Sequence, residues 1–444
     1  MQWLSKVMLR LLTGNILDRR NFVKTLKLRE ISELKTGPFG TQFSAKEYVS
    51  EGIPVINVKN IGYGNIISEG LDYVGNSTLE RLSEHKLKTG DIVFGRKGSV
   101  DRHCLITKEQ DGWMQGSDCI RVRLTDESVY SNFISYYLLT DAVKTKINNS
   151  AVGSTMASLN TDILGDVDIN LPGYEEQYKI ASVLSTIDQK IEKNKEINDY
   201  LEEMAKTIYD YWFVQFDFPD NCGMPYKSSG GIMVVTDGRK TIPKDWESLS
   251  IGNICTLKNG INYEKDIEGD KVYTIVNVRD ITASSLFINN SSCDRISLPS
   301  SLANKYLISN DSILIARSGT PGAVRLVEGN DDNNIVYCGF IIAATPLDSR
   351  YRNYLAFTLK KYEGSNATQT GGSILKNVSQ DTLNALTISY PPSDVIENFN
   401  SAIKPILHQL ATNSDEINIL IQLRNWLLPM LMNGQATIED CCDK

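Results

Sequence analysis

The chain repeats itself, and that repeat limits the folds open to it. When the 444 residues are slid against themselves by about 220 positions, long stretches coincide. Residues 53–61 lie over 272–281, so that Asn57 meets Asn277. Residues 90–98 lie over 310–319, so that Arg96 meets Arg317 and Gly98 meets Gly319. Residues 28–40 answer 249–262, the small-residue run 153–155 answers 371–373, Asp162 answers Asp381 and Pro172 answers Pro391. A unit of this length exceeds any solenoid repeat, so the chain is a duplicated domain. Two cores are also what its length predicts.

Each copy opens with short apolar runs separated by turn residues, which predicts a β-rich module. In the first copy the runs are 52–58, 91–94 and 119–124; in the second they are 273–278, 312–315 and 335–343. One helix is expected inside each module, near 133–147 and 352–361. Each module is followed by a long helical pattern. The first runs from Glu175 to about Val214, with Ile180, Leu184, Ile187, Ile191, Ile197, Leu201, Met204, Ile208 and Tyr211 on its apolar face. The second follows Pro391-Pro392 and runs to about Met432, with Phe399, Ile403, Ile406, Leu410, Ile417, Leu420, Leu423, Leu427 and Met430. Steps of three and four alternate, which is coiled-coil spacing. Helices of roughly 38 residues span about 57 Å and have too little core of their own, so the two are expected to pack on each other.

An asparagine stands at a core step near the middle of each helix, Asn194 in one and Asn413 in the other, 219 positions apart. Antiparallel pairing brings midpoints together, so the two amides are expected to satisfy each other and to fix the register, and with it the distance between the modules. The fold class is therefore α+β: two β-rich modules joined by a pair of long antiparallel coiled-coil helices. The expected boundaries are an N-terminal helical segment at 1–25, a first module at 26–171, its helix at 172–215, a linker at 216–245, a second module at 246–390 and its helix at 391–434. Residues 1–12 carry amphipathic helical spacing, with Lys6 and Arg10 among the apolar positions, rather than the uninterrupted core of a signal peptide. No run of about 18 apolar residues predicts a membrane span.

No catalytic motif is found. There is no phosphate loop with its lysine and no glycine-rich dinucleotide turn. The eight cysteines include no CxxC pair, and the three histidines are scattered. His103 beside Cys104 reads as two neighbours on opposite faces of a strand. Asp72 with Glu84, His85 and Lys86 imitates a nuclease cluster, but the second copy has nothing like it.

Groups suited to reading DNA, by contrast, recur. Phosphates are met by Arg, Lys, hydroxyls and backbone N–H groups, and base edges by Arg, Asn, Gln, Ser and Thr. Arg96-Lys97-Gly98-Ser99 in one copy is answered by Arg317-Ser318-Gly319-Thr320 in the other. Lys59-Asn60 and Arg279-Asp280 follow the shared Asn-Val strand ends, and residues 37–42 form a further candidate loop. The candidate contacts are Lys59, Asn60, Arg96, Lys97, Ser99, Arg279, Arg317, Ser318 and Thr320. A net charge of −8 opposes a free-standing nucleic-acid binder. It leaves open a protein–protein scaffold with two modules on a helical strut.

From about Lys27 to Thr437 these features together resemble the specificity subunit of type I restriction–modification systems. The resemblance rests on residues 37–43, on the strand 88–94, on Gly153–Thr155 and on 171–177 leading into the first helix. It rests also on residues 216–219 with 225–231. The second copy departs from the pattern, with 393–396 in place of Glu-Gln before its helix. The resemblance implies target-recognition domains on a coiled-coil spacer, double-stranded DNA as ligand and a cytoplasmic protein. It also implies two DNA methyltransferase subunits carrying SAM, and restriction (translocase) subunits using ATP and Mg. The cofactors then belong to the partners, which also help to enclose the DNA, and this chain is not an enzyme.

Overall fold

The structure is a computed structural model, and it describes residues 24–151, 158–236, 241–263, 268–328, 334–363 and 378–438. The N-terminal segment expected to be helical lies outside these residues up to position 23, as do the small-residue runs at 153–155 and 371–373. The chain forms two compact units, residues 1–189 with 421–444, and residues 190–420.

The first unit holds two sheets. One has the strand order Ser32–Thr36, Cys119–Leu124, Ile92–Gly95, His103–Leu105, Tyr63–Gly64; the other has Tyr48–Val49, Asp72–Val74, Ile53–Ile56, Met114–Gln115. The strand Ile92–Gly95 is buried along its whole length, which is why it reads as an unbroken apolar run rather than an alternating one. Outside both sheets, Lys24–Lys27 pairs antiparallel with Asp168–Leu171, so the module is closed by its own first and last strands. The single helix expected near 133–147 is two helices, Ser131–Leu138 and Asp141–Ser150. Thr140 is extended between them, and its hydroxyl donates to the Tyr137 carbonyl instead of continuing the helix.

The second unit repeats this plan. Its sheets run Cys255–Asn259, Ile341–Pro346, Ile313–Ala316, Val324–Leu326 and Asp294–Leu298, Lys271–Val276, Ile335–Tyr337. Glu247–Ser250 pairs with Thr387–Tyr390 as the closing ladder. Each unit has a parallel ladder at the same place, Ile53–Ile56 on Met114–Gln115 and Lys271–Val276 on Ile335–Tyr337, and the first has another, Tyr63–Gly64 on His103–Leu105. The stretch expected as a linker is packed along 216–228, beside Trp246. Phe218 and Trp246 are buried and stack at 5.4 Å, and Phe216, held at φ 65°, meets the same indole at 5.3 Å. The Asp217 carboxylate accepts from the backbone N–H and hydroxyl of Ser228.

The long helices are Tyr174–Tyr209, continued by a wider turn at Asp210–Val214, and Ser393–Met432. Within the second unit they run antiparallel: Lys190 pairs with Glu416, Asn198 meets Asn413, and Phe213 packs on Phe399 at 4.7 Å. Within the first unit, the Arg424 guanidinium donates to Asp188 at 2.9 Å, and Asp188 also accepts the Tyr136 hydroxyl.

The buried face of the first helix differs from the expected one. Ile197, Met204 and Tyr211 point outward, while Asn194, Asn198, Ala205 and Tyr209 point inward. Steps of three and four therefore continue unbroken through 191, 194, 198, 201 and 205, with two polar residues carrying the seam. Asn194 does not meet Asn413. The Asn413 amide donates to Asn198 at 3.0 Å, and its oxygen accepts from Gln409. Asn194 donates to Glu416 at 2.9 Å. The crossing is offset by one helical turn from the midpoint pairing, because Asn198 occupies the next core step.

Candidate nucleic-acid interface

Four loops meet at one end of the strands in the first module, drawn together by backbone hydrogen bonds. The Gly37 N–H donates to the Cys119 carbonyl, the Arg96 N–H to that of Asp118 and the Gly116 N–H to that of Ile56. Gly95 lies so close to Val58 that a β-carbon would sit 3.3 Å from its methyl. The second module has the same frame. Gly260 donates to Ile341, Arg317 to Phe340 and Cys338 to Val276, and Gly319 lies against Val278. Gly98 and Gly319 hold φ of 79° and 74°, left-handed backbone that glycine adopts without strain. The two loop pairs singled out in the sequence are thus brought together in each copy, along with two loops that complete the rim.

The side chains sort into three groups. Lys59 pairs with Asp72 at 2.9 Å and Arg279 with Asp294, an equivalent ion pair in each copy. Lys97 pairs with Asp118 at 3.1 Å, and Ser99 beside it is exposed. These cations are already neutralised, so a phosphate must compete with a carboxylate for each. Arg96 and Arg317 differ: among the described residues neither guanidinium meets a carboxylate. Arg317 donates to the carbonyls of Val378 and Gly339 at 3.3 Å, and the buried Nε of Arg96 has no acceptor. Ser318 and Thr320 are half-buried next to Arg317.

Asn60 is a correction. Its side chain is fully buried, its amide donates to the carbonyls of Ile67 and Glu69, and its oxygen accepts the Asn57 N–H. Asp280 accepts the Asn277 N–H in the same way at 2.7 Å. The repeated pair Asn57/Asn60 and Asn277/Asp280 is therefore a cap that shapes the loop, not a base-reading group.

Sequence reasoning passed over Phe340 and the group formed by Tyr63, Arg102 and Lys144. The exposed Tyr63 ring has the Arg102 guanidinium and the Lys144 ammonium each 5.6 Å from its centre. The only sequence signal for Phe340 is a large apolar side chain directly after the loop glycine Gly339.

Elsewhere the chemistry is structural. His103 is buried against Phe94 and hydrogen-bonded to Ser135, and burial lowers its pKa to about 4. Burial pushes the neighbouring Cys104 thiol up to about 12, far from a reactive thiolate. Asp72 is engaged by Asn57 and Lys59, and Glu84 by Lys35, so the nuclease-like set is taken up in separate contacts. No group of three metal-ligating side chains is found among the described residues, and no helix among them is long and apolar enough to cross a membrane.

Comparisons with known proteins agree with this duplicated plan. Residues 22–203 and 243–423 each match the family described as type I restriction modification DNA specificity domain. The chain is 25% identical over 428 residues to the MjaIX specificity subunit of Methanocaldococcus jannaschii, covering 93% of both chains. It is 21% identical over 439 residues to the HindI specificity subunit of Haemophilus influenzae, covering 85% of this chain and 94% of that one. The crystal structure of a type I restriction-modification S subunit from M. genitalium shares the fold, with a TM-score of 0.55 at 15% identity over 94% of this chain and 97% of that one. A duplicated β-rich module, a long helix after each copy and a family match to both copies together make this chain a member of the type I restriction–modification DNA specificity family, a specificity subunit with two target-recognition domains.

Proposed function

We propose that each module reads one half of a bipartite, asymmetric double-stranded DNA target through its four-loop rim. One observation carries this reading: the same backbone frame is built twice but presents different side chains. Where the first rim has the ion pair Lys97–Asp118, the second has Ser318 and Phe340. A shared frame with different groups on it suits two half-sites of different sequence.

The chain acts in this reading with two DNA methyltransferase subunits that carry SAM and with translocating restriction subunits that use ATP and Mg, in the cytoplasm. It performs no catalysis itself. The partners supply much of the phosphate neutralisation that a chain of net charge −8 lacks. Membership of the specificity family weighs against the bare scaffold.

The test is methylome sequencing of cells carrying the gene, followed by a gel shift of the partner-bound chain on the target found. A bipartite methylated target bound only when both halves are present is expected. A single undivided target, or binding indifferent to either half, would overturn the proposal.

A further inference from the structure

Among the described phenylalanines only two are exposed, and each lies on one module's rim: Phe39 at 58% and Phe340 at 62%. Neither ring has an aromatic partner among the described residues, whereas Phe213, Phe218, Trp246, Tyr354 and Phe399 pack ring on ring. The two are not repeat equivalents. Phe340 offers its carbonyl to the Arg317 N–H, so it stands where the first copy has Asp118, whose carbonyl accepts from Arg96. Strand register, with Ile120 opposite Thr36 and Ile342 opposite Asn259, places Asn262 at the position of Phe39. Each rim thus carries one exposed phenylalanine, supplied by different loops.

Both residues sit on loops whose backbone is held beside the cation-bearing loops. The loop of Phe39 rests on Gly116, whose N–H is bonded to the strand end before Asn57. Leaving such rings in water forgoes burial that favours contact with something apolar. On duplex DNA the apolar group presented beside the hydrogen-bonding edges of the major groove is the thymine C5-methyl.

We infer that Phe39 and Phe340 are base-contacting residues, each resting on the C5-methyl of one thymine in its own half-site. The inference rests on the proposed DNA-reading function.

The experiment uses the full chain assembled with its methyltransferase subunits, on its methylome-defined target. Each thymine is replaced in turn by deoxyuridine, which removes the methyl alone. One position in each half-site is expected to weaken binding about fourfold, the worth of one buried methyl. The Phe340→Ala variant should bind thymine and deoxyuridine alike at its position while still sensing the other half-site, and Phe39→Ala should do the reverse. The salt dependence of binding should not change, since no charge is removed. Phe340→Leu, which keeps an apolar group, should retain part of the preference and guards against misfolding. Indifference to deoxyuridine at every position, a half-site without an A·T pair, or alanine variants that fail to join the methyltransferase while keeping their DNA preference would each overturn the inference. If the unaltered complex binds no bipartite target at all, the proposed function fails first.

Discussion

Arg96 and Arg317 hold equivalent positions, and among the described residues neither meets a carboxylate while Lys59, Lys97 and Arg279 are paired. If they meet phosphates, Arg→Ala at either should weaken binding on all sequences and lower the salt slope by about one unit. If one meets a guanine, the loss should be roughly 1–3 kcal/mol and one target position should relax. A titration of both variants over salt decides, and unchanged affinity with unchanged preference in both would remove them from the interface. His103 sets a pH limit on the first module. The unfolded imidazole takes a proton near pH 6.5, the folded one only near 4, because burial disfavours the charged ring. Between those values the unfolded state binds more protons, so stability should fall as pH drops from about 6.5 towards 4, by on the order of 3 kcal/mol. Thermal melts of wild type and His103→Gln across that range test it, since the variant should show a flatter dependence and parallel curves would count against the assignment.

The long helices owe their pairing to a seam that includes amides. Asn198 and Asn413 are buried, each 8% exposed or less, and are joined by one hydrogen bond, while Ser414 accepts from Asn198 and Gln409 donates to Asn413. Asn198→Leu leaves the Asn413 amide N–H without its acceptor and Asn413→Leu leaves the Asn198 oxygen without its donor, so either alone should cost roughly 1–3 kcal/mol. The double leucine variant should recover that stability or exceed it, and should lose its unique register. Calorimetry reads the first effect, and cysteine cross-linking between residues 190 and 416 the second. A double variant as unstable as the singles would mean the amides do not act as a pair. The two helix starts solve one problem in two ways. Gln177 is buried and bonds Tyr130, Ser128 and Pro172, whereas the equivalent Ile396 is fully buried by apolar packing. This is why the second junction departs from the Glu-Gln pattern without losing the helix.

For the whole molecule, duplication gives two independently closed modules. The first is bounded by the ladder of Lys24–Lys27 with Asp168–Leu171, and an exchange of residues 26–150 keeps Lys24, Thr25 and the whole of Asp168–Leu171 in that ladder. Replacing residues 26–150 by those of a relative should change one half of the target and leave the other intact. Methylome sequencing of the hybrid reads the outcome directly, and a change in both halves, or in neither, would contradict one module per half-site.

The sequence by itself determined the repeat, the succession of a β-rich module and a long helix in each copy, the length of both long helices and the loops that carry Arg96 and Arg317. These are local or self-comparative properties: a match at fixed offset and a helical period can be seen without knowing what lies across the core. Only the tertiary structure decided what faces what. Ile197, Met204 and Tyr211 fit an apolar stripe as well as Asn198 fits a polar surface, yet the partner helix buries the asparagine and leaves the others outside. Asn60 looked like a base reader until the turn at 67–69 closed over its amide. Phe340 lies within the apolar run 335–343, yet strand pairing carries it to the rim, where it is exposed. In each case the deciding neighbour is brought up by the folding of the chain, and burial depends on that neighbour rather than on the residue's own polarity.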